Sequence, residues 1–210
     1  MMKKYLVLAI AIVGTSFGSA LGIKAAVGVT AWDAFAVTLG RVWGLKVGTV
    51  GMLLNTICFL LQVLLLKKGF KKTQYLQLAV TVLVGAVVNF ALYDLLAFSL
   101  PTYALRIAMI LASFVIMAFF TGIVMTINLI TFPLEGLVLA IAVKTNADFA
   151  RLRQITDIVL LVLCLVIPLT GSAELVVREG TVIGMLCFGP LLGWFMKYQK
   201  SILGRQQLLG

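Results

Sequence analysis

The chain has 210 residues; 62% are apolar, only 11% are charged, and the mean hydropathy is +1.16. Soluble domains carry about 25% charged residues, and a domain of this size could not hide so much apolar surface from water, so the composition excludes a soluble globular protein. The net charge is +10, from 17 basic and 7 acidic residues, yet the basic residues cluster at the ends of apolar runs without interleaved aromatics, which excludes nucleic acid as a partner and fits cytoplasmic anchoring of membrane spans.

A membrane span needs about 20 mostly apolar residues. The first run, Tyr5 to Ile23, follows Met1-Met2-Lys3-Lys4 and imitates a signal peptide, with Ser19-Ala20 where cleavage would occur. Its removal would leave the remainder just as hydrophobic, so it is read as a retained helix. Lys24 to Lys46 is too interrupted for a simple span, with Asp33, Arg41 and three glycines. The second run, Val47 to Leu66, ends at a loop with four lysines, Lys67, Lys68, Lys71 and Lys72. The third, Tyr75 to Phe98, contains Asn89 and Asp94 and stops at Ser99-Leu100-Pro101-Thr102. The fourth, Ile107 to Ile130, has no charge. Thr131 to Arg153 is again mixed, with Pro133, Glu135, Lys144, Asp148 and Arg151. The fifth span, 155–171, is shortened by Pro168, and the sixth, 181–196, is short and glycine-rich.

With the N-terminus in the cytoplasm and six crossings, 12 of the 17 basic residues fall inside, and Lys24, Arg41, Lys46, Arg106 and Arg178 fall outside. That bias places both termini in the cytoplasm; five crossings would put the basic C-terminal end outside.

An offset of 102 residues lays one half on the other. The spans correspond, and the mixed stretch 24–46 lands on 126–148. Residue identity is almost nil, but Asp33 falls on Glu135 and Asn55 on Asp157. Each half has an odd number of spans, so the halves would face opposite ways. Inverted repeats interrupted at matching places mark secondary transporters.

The few acids can be taken singly. Thr30-Ala31-Trp32-Asp33 has the form of a helix start, with Thr30 as cap; in Phe132-Pro133-Leu134-Glu135, Pro opens the helix and the acid again comes in the first turn. Asp33 and Glu135 then either cap helices at the interface or line a central cavity as a pseudo-symmetric pair. Arg153 and Asp157 share a helix face, as an ion pair anchoring the fifth span or as a substrate or gate contact. Asp94 is expected to reach water, and Lys24 to snorkel to the surface. Gly14, Gly18 and Gly22, and Gly184, Gly189 and Gly193, read as helix-packing stripes, and Pro190 invites a kink. Trp32, Trp43 and Trp194 fall near expected interfaces. The chain has no histidine, and Cys58, Cys164 and Cys187 lie singly in apolar runs, read as buried fillers with neither metal nor disulfide spacing.

These residues reach a resemblance. Gly22, Gly28-Val29-Thr30-Ala31-Trp32-Asp33, Gly40, Gly44, Gly48-Thr49, Pro133-Leu134-Glu135-Gly136-Leu137, Arg153 with Asp157, Gly180-Thr181 and Gly189-Pro190 resemble the YczE/YyaS/YitT family of bacterial integral membrane proteins over about residues 14–196. The chain departs at Ala31, where the family has Pro, at Ile130-Thr131-Phe132, and at Ser172-Ala173-Glu174 with Arg178-Glu179, as a divergent member would. The resemblance implies a fold and a bacterial membrane location more than an activity.

The expectation is therefore an all-α polytopic membrane protein of the bacterial inner (cell) membrane. Its six transmembrane helices form two inverted three-helix repeats, with short helices after spans one and four. The repeats are 1–102 (spans about 5–23, 47–66 and 75–98) and 103–200 (spans about 107–130, 155–171 and 181–196), followed by a cytoplasmic tail, 201–210. The expected function is secondary transport of a small solute, with Asp33, Glu135, Trp32, Thr30, Asn55, Asp157 and Arg153 binding solute or coupling ion. The alternative is a non-transporting accessory or regulatory membrane factor. No nucleotide-binding, metal or nucleophile motif is present, so no cofactor and no enzymatic activity are expected. The expected partners are the lipid bilayer, a small solute or ion, and a second copy of the chain in a homo-oligomer.

Overall fold

The computed structural model describes residues 2–169, 171 and 174–207. Among them are eight α-helices and no strand. They are α1 (Met2–Ala25), α2 (Ala31–Trp43), α3 (Val47–Leu66), α4 (Leu76–Phe90), α5 (Tyr103–Ile127), α6 (Pro133–Thr145), α7 (Phe149–Leu169) and α8 (Glu179–Gln207). A π-helical turn, Ala91–Leu95, prolongs α4. Six segments, containing α1, α3, α4, α5, α7 and α8, are long and apolar enough to cross a membrane. Leu64, Leu186 and Phe90 lie 61–71% exposed, an outer surface that water would not tolerate and lipid does. The replacement at Ser172-Ala173 and the last three residues of the tail lie outside the described residues.

Two helices depart furthest from the expected bounds. α7 begins at Phe149, not 155, because Asp148 Oδ1 accepts from the Arg151 N–H at 2.8 Å, an N-cap that hydropathy alone overlooks. α8 runs on past Met196 through the expected start of the tail. Lys197, Gln199 and Lys200 are good helix formers, and Gln199 Nε2 donates to the Phe119 carbonyl at 2.8 Å, docking that stretch on α5.

The element bounds recur at the offset of 102. α2 shifted by 102 residues gives 133–145, the bounds of α6. The left-handed residues recur too: Ala26 (φ 55) with Asn128 (φ 50), and Gly44 (φ 65) with Asn146 (φ 55). Packing follows the same scheme. α1 lies along α5 at the centre, α4 packs on α1 and α8 on α5, and α2 and α6 each contact both α3 and α7.

The α1–α5 seam explains one glycine stripe. A Cβ on Gly18 would lie 2.7 Å from Met117 Cγ, and one on Gly22 2.7 Å from Ser113 Oγ, so only glycine lets these backbones approach. The α8 stripe divides. Gly184 would strike the Phe114 ring at 2.8 Å, but Gly189 and Gly193 face open space, so packing accounts for only part of it. Cys187 is exposed, not buried; Cys58 and Cys164 are buried.

One seam breaks the scheme. α3 and α4 pack tightly, whereas α7 and α8 scarcely touch along their described lengths. Gly48 and Gly85 bring α3 and α4 into backbone contact. Asn89 Oδ1 accepts from the Gly48 N–H at 2.8 Å, its Nδ2 donates to Thr49 Oγ1 at 3.1 Å, and the Tyr93 hydroxyl accepts from the Val47 N–H at 3.1 Å. At the offset positions stand Ala150, Cys187, Leu191, Arg151 and Phe195; Ala150 and Cys187 lack the glycines' close approach, and Leu191 and Phe195 lack the acceptors of Asn89 and Tyr93.

Replacing Gly18 by Leu is expected to lower stability in detergent by about 1–3 kcal/mol through overpacking, read as a fall in thermal unfolding temperature. Gly193→Leu, with nothing nearby to strike, should leave the melt within experimental scatter. Equal effects of the two would refute the α1–α5 seam.

Candidate functional site

The short helices α2 and α6 need their first turns placed inside a bundle whose surface is apolar. The chain enters α2 through 26–30, where backbone polar groups have no helical partners. The second half supplies them. The Gly180 N–H donates to the Val27 carbonyl at 2.7 Å, the Val29 N–H to Thr181 Oγ1 at 3.2 Å, and Arg178 Nη1 to the Ala26 carbonyl at 3.0 Å. Gly28 (φ 107) passes so close that a Cβ would lie 2.6 Å from the Thr181 nitrogen. The chain enters α6 through 128–132, and there the first half supplies a backbone partner at Thr131, whose N–H donates to Gln74 Oε1 at 3.5 Å, and further bonds beside it. Gln62 Nε2 donates to the Pro133 carbonyl at 2.8 Å and to Gln77 Oε1 at 3.0 Å. Gln77 Nε2 reaches Gln74 Oε1 at 2.7 Å and Thr131 Oγ1 at 3.2 Å. Gln62 and Gln77 are buried amides within apolar helices; a polar residue amid a hydrophobic run is their sequence signal, passed over in reading the charges.

The first turns of α2 and α6 then face one cavity of about 540 Å³. All seven residues picked out in the sequence line it: Thr30, Trp32 and Asp33 from α2 and its cap, Asn55 from α3, Glu135 from α6, and Arg153 and Asp157 from α7. Trp32 therefore lies in the cavity wall, while Trp43 and Trp194 are exposed on the outside.

The paired acids have different surroundings. Thr30 caps α2, accepting from the Asp33 N–H at 3.3 Å and donating to Asp33 Oδ2 at 2.8 Å; Ser19 donates to Asp33 Oδ1 at 2.8 Å. Asp33 thus has hydroxyl donors and the positive end of a helix, but no cationic partner within salt-bridge distance among the described residues. Ser19 lies six residues before the end of α1, about 9 Å of helix rise within it. Glu135 has no capping side chain beside it. Arg153 Nη2 reaches Glu135 Oε1 at 3.6 Å, and Arg153 Nη1 pairs closely with Asp157 Oδ1. The guanidinium therefore bridges α6 and α7, with all three side chains partly covered. This joins the sequence alternatives: Arg153 and Asp157 do share a helix face, and they also enter the cavity wall beside Glu135.

The remaining candidates lie elsewhere. Lys24 Nζ sits 5.6 Å from the Phe98 ring centroid and lines a second pocket, of about 370 Å³, with Arg41 and Tyr93. Among the described residues no group of three or more Asp, Glu, Cys or His side chains is placed to hold a metal ion.

Removing Arg153 leaves two carboxylates without their counter-ion, so Arg153→Leu is expected to destabilise by roughly 1–3 kcal/mol, with Glu135→Gln and Asp157→Asn added to it recovering much of the loss. Thermal unfolding of the single and combined variants checks this. Strictly additive losses would refute the triad.

No curated protein and no solved structure matches the chain. A family model does match, over residues 2–197, which takes in α1 to α7, most of α8 and the whole cavity lining. The chain belongs to that family, described as a family of unknown function (DUF6198).

Proposed function

We propose that the protein is a secondary transporter or permease for a small solute in the bacterial cell membrane, with both termini cytoplasmic and two inverted three-span repeats. The observation that carries the reading is the shared cavity: it takes polar side chains from both halves at corresponding positions, Asp33 with Glu135 and Asn55 with Asp157. Broken helices whose first turns meet between two halves are where transporters bind, and partly buried ionisable groups within apolar spans face such cavities. The recurrence of α2 as α6, with matching left-handed residues at both junctions, supports a repeat. The excess of basic residues on segments assigned to the cytoplasm supports the orientation. The proposal includes kinship with the YczE/YyaS/YitT proteins, and it assigns no catalytic step and no cofactor.

Alternating access can be tested without knowing the solute. Gly51 lines the cavity and has open space for a side chain. With Cys58, Cys164 and Cys187 replaced, a cysteine substituted for Gly51 should react with a membrane-impermeant maleimide from either face of oriented vesicles. Locking one repeat against the other should restrict the reaction to one face. Reaction from one face only, under all conditions, would favour the accessory or regulatory factor over the transporter.

A further inference from the structure

The cavity's charge, its wall and its one loose seam point to a ligand class. Three carboxylates and one guanidinium line it. Arg153 is already shared by Glu135 and Asp157, which leaves Asp33, held only by hydroxyls and the start of α2, as the anion open to a cationic ligand. Much of the cavity wall is apolar, and it includes the aromatic rings of Trp32 and Phe132 and the thioethers of Met117 and Met125. Aromatic faces and polarisable sulfur favour an organic cation with an apolar body.

The seam shows how such a ligand reaches the site. Phe149 on α7 and Met185, Phe188, Gly189 and Leu192 on α8 all line the cavity, yet the two helices scarcely touch. Met185 is 51% exposed on the bundle surface while also lining the cavity. The outer surfaces of both helices are apolar, with Val159, Val162, Val182 and Leu186 exposed. A gap between two helices of apolar outer surface, leading to a cavity that holds a carboxylate, suits a molecule that partitions into the bilayer before binding.

We propose that the cavity takes amphiphilic organic cations, admitted laterally from the bilayer between α7 and α8 and paired with Asp33. This rests on the transporter reading, whose cavity it fills.

The test uses the full chain in lipid nanodiscs with tritiated tetraphenylphosphonium as probe. Saturable binding is expected. Tetraphenylborate, with the same shape and the opposite charge, should fail to displace the probe, and choline, with the charge but no apolar body, should displace it only weakly. Asp33→Asn keeps a group that Ser19 and Thr30 can still bond, and it should weaken binding on the order of 30-fold. Gly189→Trp fills the opening where no atom stands in the way, and it should slow association about tenfold. Gly193→Trp, equally unobstructed but outside the cavity lining, should not. Displacement by tetraphenylborate as readily as by the unlabelled cation, or an unchanged affinity in a folded Asp33→Asn protein, would overturn the ligand class. An unchanged association rate in Gly189→Trp would overturn the lateral route. Two-sided labelling at a cysteine in place of Gly51, without cation binding, would overturn this inference and leave transport standing; cation binding with one-sided labelling would do the reverse.

Discussion

The structure depends on finding partners for two stretches of non-helical backbone inside an apolar bundle. Segments 26–30 and 128–132 each carry carbonyls and N–H groups that lipid could not satisfy. Each stretch draws partners from the other half of the chain. Thr181, Gly180 and Arg178 serve the first, and Gln62, Gln74 and Gln77 serve the second. Neither half could bury its own break alone. The exchange joins the halves at two places beyond the glycine seam between α1 and α5, next to where α2 and α6 begin.

From those starting points the site's electrostatics diverge. Thr30 is a capping residue, so its hydroxyl and that of Ser19 occupy both oxygens of Asp33. Phe132 stands at the cap of α6 instead, and it has no hydroxyl to offer the acid that follows. Glu135 is left to meet Arg153, a residue standing where the first half has Gly51. One backbone plan therefore carries two chemistries: a carboxylate held by neutral donors, and a carboxylate within an ionic triad. In the proposed transporter, this asymmetry would let the cavity distinguish one end of a bound molecule from the other.

Much of this was legible in the sequence, because hydropathy and cap chemistry are local. The six apolar runs, the starts of both short helices and all seven cavity residues follow from run length, from Thr30 and Pro133, and from the scarcity of acids. Other features were not legible because they depend on partners distant in the chain. Gln62 and Gln77 look like stray amides until Pro133 and Thr131 come to them. Cys187 sits in an apolar run like Cys58, and only the missing neighbour on α7 leaves it exposed. Asp148 is an ordinary loop acid until its oxygen accepts the Arg151 N–H, which moves the start of α7 six residues earlier than the apolar run indicates.

The unequal seams give the two halves different mechanical roles. α3 and α4 are joined by backbone contact at Gly48 and Gly85, by Asn89 and by Tyr93, so they behave as one body. α7 lacks that partner and is held by α2 and α6, the two helices that carry Asp33 and Glu135. Any displacement of α7 therefore bears directly on both acid-bearing helices, and Arg153 ties it to Glu135. In the proposed transporter, a ligand that pairs with Asp33 or competes for Arg153 would interact differently with each position of α7, and that difference is what a ligand needs to shift a conformational equilibrium. In the proposed transporter, the sparse contact between the described lengths of α7 and α8 would serve two ends: opening the cavity to one side, and letting the helix bearing Arg153 and Asp157 respond to what enters.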